Sequence, residues 1–315
     1  MTIEQADMRA VRKPWGSLDL LPWSDIRDER GAIGELWCQR SAVISVEPAL
    51  LLKLLFTTEP LSIQVHPDDA FARSIGLDHG KTEAWYILSA TPDASVALGL
   101  KRKLDPAQLR TAIEDGSISD LVQWRGVQKH DVIFVPAGTI HAIGPGIVLA
   151  EIQQRSDATF RLFDYGRQRK LDVDHAVAAS SREAPVKQAM AARLSDARTL
   201  LVASPYFILE GIDLAADSNW DLKAEHETWL LVLHGHAEVG RMKAGIGKAF
   251  FVDAEKVPIK VGAEGLSGLL AYPGPKPAAN LLTLLDHMPV DASSPDFPRP
   301  SILSRSTLNK MEVRI

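Results

Sequence analysis

The stretch Asp131-Val-Ile-Phe-Val-Pro136-Ala137-Gly138-Thr139-Ile140-His141-Ala142-Ile143-Gly144 sets the reading of the whole chain. An apolar β-type run meets a Pro/Gly turn, and His141 follows the turn at once. Runs of the same kind lie on both sides of it, at 41–46, 50–56, 61–66, 83–88 and 146–153. A second series follows at 206–214, 228–239, 247–254 and 265–273. Gly, Pro and Asp punctuate the runs, as turns require. Such spacing predicts β-sandwiches or β-barrels rather than βαβ units. Helical signals are few. Asp105-Pro106 opens AQLRTAIEDGSI with an N-cap and Pro at N1. Asp68-Asp69 is placed to cap AFARSIGL, and Asp172 to cap 173–180. The fold class is therefore all-β with small helical insertions.

The chain has 315 residues, about two domains' worth. A faint internal echo agrees. Glu83-Ala-Trp85-Tyr-Ile-Leu is matched by Glu227-Thr-Trp229-Leu-Leu-Val, and the run at 131–137 by the run at 247–254. Two similar β-barrels in tandem account for both matches. The expected division is a first barrel over 1–180 with a helical insertion around 104–125, a connection over 181–199, and a second barrel over 200–315. The Pro- and Ser-rich tail from Pro289 to Pro300 reads as irregular.

Lys plus Arg number 35 and Asp plus Glu 40, a formal net charge of −5. Nothing in those totals gives the basic patch that a nucleic-acid binder needs, and no nucleic-acid partner is expected. A small anion could still be held by a few local cations. A single cysteine, Cys38, excludes a disulfide framework within the chain and any multi-cysteine metal site. The residues MTIEQADMRAVRKPWG contain no apolar signal core, and the apolar run at 49–56 is too short to span a membrane. A cytoplasmic protein without a membrane partner is the expectation.

Three segments carry polar residues in unusual places. Along a strand, residues i and i+2 share a face. In Leu61-Ser62-Ile63-Gln64-Val65-His66, the face made by Ser62, Gln64 and His66 is polar, and the opposite one is aliphatic. In Gly80-Lys81-Thr82-Glu83-Ala84-Trp85, Lys81 and Glu83 share a face. His141 comes from the third segment. Two imidazoles and a carboxylate from three β-segments can hold a divalent metal, leaving room for water or substrate oxygen. Gln64 would be a fourth, weaker oxygen ligand.

Pro136-Ala-Gly138-Thr-Ile-His141 resembles the second signature of the cupin superfamily, Pro-x-Gly-x-x-His. His130 stands where that pattern usually has Gly, which loosens the turn without touching a ligand. LSIQVHPDD, GKTEAWYIL, VPAGTIHAIG and ATFRLFDYGR, in that order, are similar to the type I mannose-6-phosphate isomerases in their short bacterial form. Lys13-Pro14-Trp15-Gly16 and Gly34-Glu35-Leu36-Trp37 are similar to that family's N-terminal motifs. The resemblance covers residues 13 to about 175; beyond them it rests on strand pattern alone.

The resemblance implies two tandem cupin (jelly-roll) barrels. It implies one Zn²⁺ per chain, or another divalent metal, held by Gln64, His66, Glu83 and His141. Arg161 matches the family's active-site arginine and Lys81 a lysine of the pocket. Ser62 and Lys53 match positions near the bound sugar phosphate. The implied reaction interconverts mannose 6-phosphate and fructose 6-phosphate by proton transfer through a cis-enediol. A nearby metal ion would be expected to lower the pKa of Lys81 by charge repulsion. The second barrel is expected to be metal-free, with His234-Gly235-His236 at a hairpin turn and no Pro-x-Gly-x-x-His to complete a site. Two other classes fit parts of the pattern. His66-Pro67-Asp68 with His141 could form the facial triad of an Fe(II)/2-oxoglutarate oxygenase, with Asp68 as a ligand. A sugar-binding or regulatory cupin without turnover would share the fold.

Overall fold

In a computed structural model of the chain, the described residues are 2–29, 31–40, 47–181, 188 and 190–287. The run at 41–46 and the tail from Pro289 lie outside them, as does part of the connection expected over 181–199.

Strand dominates, and the molecule is the all-β, two-barrel protein that the motifs imply. In the first half a six-stranded antiparallel sheet faces a five-stranded one. The six-stranded sheet runs Asp7–Ser17, Ile33–Gln39, Leu50–Thr57, Ile147–Gln154, Glu83–Ala90, Val132–Val135 in spatial order. The five-stranded sheet runs Phe160–Phe163, Ile63–Val65, His141–Ile143, Ser95–Leu100, Val122–Gly126. Helices Pro106–Glu114, Ile118–Leu121 and Val173–Ala179 contribute Leu109, Ile113, Ile118 and Ala176 to a core with Ile63, Val65 and Leu162. That core covers the aliphatic face of Ile63–Val65, so Gln64 is left for the other face, inside the barrel.

The caps follow the sequence in two cases of three. Asp68 accepts from the Phe71 N–H, and Asp105 forms a capping box with Gln108. Asp172 occupies the N-cap position of 173–179, but its carboxylate meets the His175 ring at 2.9 Å and makes no cap hydrogen bond.

Strand Leu50–Thr57 shows how the halves join. Every one of its residues is buried. Leu50, Leu52, Leu54 and Phe56 face a core shared with Phe207, Trp229, Leu231 and Phe251 of the second half. Lys53 and Leu55 point the other way, into the first barrel. Full burial of each such Leu or Phe contributes about 1.5–3 kcal/mol, so the shared core is a large stabilising term.

The second half forms a ten-stranded sheet that curls over an apolar core of Ile208, Leu222, Leu230, Val232, Phe250 and Leu270, among others. The long strand Glu255–Pro273 makes the curl. Its first part pairs with Ser218–Ala224, its last part with Phe207–Leu214, and both parts with Thr228–Val239. Two expectations change here. Strand Thr2–Gln5, placed by the sequence in the first unit, pairs with Ala249–Asp253 and joins the second sheet. Gly235 is not a hairpin turn but a bulge within the continuous strand Thr228–Val239. Its φ is +74°, and an added Cβ would lie 1.9 Å from the Gly265 carbonyl oxygen, so only glycine fits.

Candidate metal centre

Two rows of side chains face each other inside the first barrel, and strand register sets both. In the five-stranded sheet Gln64 pairs with His141 on one side and Arg161 on the other. In the six-stranded sheet Trp37, Lys53, Glu151 and Trp85 are successive cross-strand partners. Glu83 opens its strand beside Gln153, next to that second row.

His66, Glu83 and His141 converge at the buried end, with exposures of 1%, 1% and 0%. Their candidate ligand atoms all lie within 4.8 Å of one another. Each imidazole is oriented by the backbone. His66 Nδ1–H donates to the Ala158 carbonyl at 2.7 Å, and His141 Nδ1–H donates to the Thr139 carbonyl at 2.8 Å. Both Nε2 lone pairs are thereby turned toward Glu83, each 3.4 Å from one carboxylate oxygen.

The charges suit that role. Burial, with Lys81 adding to it, pushes His66 down to about 3, and burial lowers His141, so both rings are neutral at neutral pH. Burial alone would raise the Glu83 carboxyl, but Lys81 and the two imidazoles outweigh it and hold the group well below the usual carboxylate range. Glu83 Oε2 is buried without a hydrogen bond, although the Lys81 ammonium lies 3.0 Å away. Two neutral imidazoles and a carboxylate turn their lone pairs into one small space, where the Lys81 ammonium stands 3.1 Å from His66 Nε2 and 3.0 Å from Glu83 Oε2. These residues fit a divalent metal ion and can hold one. Gln64 lies beside the cluster, its amide nitrogen 3.2 Å from His141 Nε2 and its oxygen accepting from Ser62 Oγ at 3.1 Å. A turn of the amide about its last bond would present the oxygen instead.

Above the cluster opens a cavity of about 210 Å³, lined by Lys53, Ser62, Gln64, Lys81, Glu151 and Arg161 among others. Lys53 lies in the middle of its sheet rather than at an edge, 3.4 Å from Glu151 and over the Trp37 ring. The lowering expected of Lys81 belongs to the metal-bound site; without the ion the balance is set by its carboxylate neighbours. Burial works to lower its ammonium, but Glu83 and Glu151 more than reverse that and raise it above its ordinary range. Arg161 is half-buried and its Nε has no hydrogen-bond partner. Asp164, its nearest sequence candidate for a salt bridge, is taken by Arg169 at 2.5 and 2.7 Å. The guanidinium of Arg161 is thereby left to the cavity.

Lys13 and Glu35, from the two N-terminal motifs, line the cavity as well, as do Glu151 and Arg169, which the sequence alone does not single out. For Glu151 the signal exists. It shares parity with the buried Ile147 and Leu149 on a strand whose neighbours Ala150 and Ile152 face the shared core. Burial and the Glu83 charge raise its carboxyl above the usual range, and its Oε1 has no hydrogen bond.

Asp68 does not join the cluster. Its side chain is committed to the helix cap and exposed, so the His-x-Asp facial triad of an oxygenase is not formed. His234 and His236 are exposed as well, and His236 lies 3.8 Å from Glu264. His130 takes a left-handed backbone, φ +76°, which explains the glycine usual at this place in the cupin signature. A hydrogen bond between its ring and the Tyr86 hydroxyl, at 2.8 Å, helps to hold it there.

Fold and cluster together define a two-barrel cupin with a buried His-Glu-His group able to hold a metal ion. No protein-family model matches the chain. The mannose-6-phosphate isomerase of Streptococcus mutans is 37% identical over 166 residues, 50% of this chain and 52% of that protein. Mannose-6-phosphate isomerase ManA of Bacillus subtilis is 43% identical over 119 residues, 38% of each chain. In sequence the chain thus matches about half the length of these curated relatives, or less. In fold the likeness is broader. The crystal structure of the B. subtilis mannose 6-phosphate isomerase superposes with a TM-score of 0.75 at 23% identity, covering 86% of this chain and all of that one. A putative mannosephosphate isomerase from Archaeoglobus fulgidus superposes with a TM-score of 0.66 at 18% identity, over 86% of this chain and 97% of that one. The chain is thus similar to mannose-6-phosphate isomerases in part of its sequence and shares their fold over most of its length. Among the described residues no helix is long and apolar enough to cross a membrane.

Proposed function

We propose that the protein is a metal-dependent aldose–ketose isomerase that interconverts mannose 6-phosphate and fructose 6-phosphate. One observation carries the reading. Two neutral imidazoles and an ionised Glu83 converge beneath a cavity whose cations, Arg161 among them, suit an anionic substrate. His66, Glu83 and His141 would hold the ion, with Gln64 as a further oxygen donor. We take the ion to be zinc, one per chain. When bound it supplies Lewis-acid stabilisation of negative charge on the substrate oxygens.

The chain's own residues do the rest. After ring opening, a proton leaves the carbon next to the carbonyl and returns to its neighbour through a cis-enediol. Glu151 is the group best suited to carry that proton. Burial raises its carboxyl above the usual range, and Oε1 is free of hydrogen bonds. Lys81, 3.0 Å from Glu83 and lining the cavity, is placed to balance the charge that develops on oxygen. Arg161 adds a fixed charge and donors suited to oxygen. Ser62 and Lys53 face the substrate, and the grip on the phosphate positions the reacting carbons. The second barrel packs against the first and needs no metal. A cytoplasmic enzyme fits the single cysteine, which is a buried thiol.

A coupled assay on metal-analysed protein with mannose 6-phosphate tests the reading. The expected result is turnover in the metal-replete protein. Binding of the sugar phosphate without turnover would replace the isomerase by a sugar-binding cupin.

A further inference from the structure

Lys81 and Glu83 lie on a short segment whose backbone is held residue by residue. Lys81 N–H donates to the Pro67 carbonyl at 2.9 Å. The amides on either side of it are held by side chains instead. Gly80 N–H donates to Asp69 Oδ1 at 2.8 Å, and Thr82 N–H donates to Gln154 Oε1 at 2.9 Å. The two side chains are joined, because Gln154 Nε2–H donates to the same Asp69 Oδ1 at 3.0 Å. The Gln154 backbone N–H also donates to the Thr82 carbonyl, at 3.1 Å.

The frame reaches the other site segments. Asp69 lies three residues after His66, and Gln154 three after Glu151 on the same strand. Thr82 Oγ1 accepts from Ala137 N–H at 3.2 Å, in the turn that leads to His141. Gly138 N–H donates to the His66 carbonyl at 2.8 Å. The packing is tight: a Cβ on Gly80 would lie 2.5 Å from the Asp68 carbonyl carbon and 2.6 Å from Asp69 N. Neither Asp69 nor Gln154 lines the cavity, so neither can act on substrate directly.

We propose that Asp69 and Gln154 are positioning residues: their shared hydrogen bond clamps Gly80 and Thr82 and so sets where Lys81 and Glu83 stand in the site. The inference rests on the metal-isomerase reading for its activity arm, but not for its metal-affinity arm. What the clamp requires of residue 69 is an acceptor oxygen, not a charge. What it requires of residue 154 is one acceptor and one donor. A buried amide that fills both of its roles in this way is costly to replace, because each loss strands a partner.

The experiment measures zinc affinity by chelator competition, together with kcat and KM for mannose 6-phosphate, in the full chain. Asp69→Ala and Gln154→Leu are expected to weaken zinc binding about tenfold or more, in the range for residues that orient metal ligands. They should lower kcat to a similar degree while KM stays within about threefold of wild type. Asp69→Asn keeps the acceptor oxygen and should restore both quantities. Gln154→Glu keeps the side-chain size and the acceptor for Thr82 but loses the donor, so it remains informative if Gln154→Leu fails to fold. It should show the same direction of change. Wild-type zinc affinity in Asp69→Ala and Gln154→Glu would overturn the proposal, as would an Asp69→Asn variant as impaired as Asp69→Ala. Loss of the isomerase reading alone would appear differently, as zinc binding that responds to these substitutions in a protein without turnover.

Discussion

The two barrels use strands of one kind for opposite ends. In the first, inward positions carry Lys53, Gln64, Glu83, Glu151 and His141, and the lumen holds a cavity. In the second, inward positions carry Ile208, Leu230, Val232, Phe250 and Leu270, and the lumen is filled. The sequence echo between them hides a reversal. Trp85 points into the first lumen, whereas Trp229 points into the core shared by both halves. Glu83 joins the His-Glu-His cluster, whereas Glu227 accepts hydrogen bonds from Ala49 and Leu50 N–H across the junction. A shift of one residue in a strand moves every side chain to the other face. The same pattern of letters therefore gives a site in one barrel and a seam in the other.

The largest test of that contrast is His141→Ala. It should abolish metal binding and nearly all isomerase activity; stoichiometric zinc with full activity would remove His141 from the ligand set. Arg161→Ala comes next. It should leave metal content intact and cut turnover by about 10²–10³, the usual cost of one transition-state donor. A wild-type rate would take Arg161 out of the mechanism. In the second barrel the matching test concerns stability. Arg198 is held bidentately by Glu210 at 2.7 and 2.8 Å, and both are buried. Arg198→Ala strands the Glu210 charge and should cost about 3–5 kcal/mol in chemical denaturation while zinc affinity holds. A fall in zinc affinity without loss of stability would contradict the division of labour between the barrels.

Acid should expose the first barrel rather than the second. In metal-free protein the folded pKa values of His66 and His141 lie below their unfolded values. As pH falls below about 6.5, the unfolded chain takes up these protons and the folded one does not, so stability falls by up to about 1.4 kcal/mol per pH unit per ring. Glu151, whose carboxyl is raised, opposes one of those protons: its contribution is present at low pH and lost as pH rises through its folded value. The net expectation is a loss of stability from about pH 6 downward that zinc shifts to lower pH. Denaturation curves independent of pH between about 6 and 4 would contradict the neutral, buried imidazoles. The smallest effect is expected from replacing His234 and His236 together by Ala, which should leave zinc content unchanged.

Much of the site is legible in the sequence because strand alternation is local. Gln64, His66 and Glu83 each announce a polar residue on an otherwise buried strand, and the Pro-x-Gly-x-x-His turn delivers His141. The rest depends on register, which is not local. Glu151 comes beside Lys53 only because their two strands pair at that offset. The raised Lys81 ammonium depends on two carboxylates from different strands. Strand Thr2–Gln5 joins the second sheet through a partner about 250 residues away, and the largely polar strand Asp7–Ser17 carries little apolar signal. The reversal at Trp229 follows from which face of the second barrel meets the first.

The isomerase reading stands on a metal ion in the first lumen. Anomalous diffraction from zinc-loaded crystals tests it most directly. One ion per chain, about 2.0–2.2 Å from His66 Nε2, His141 Nε2 and a Glu83 oxygen, is the expected result. An ion absent from this cluster in a protein that still isomerises mannose 6-phosphate would contradict it.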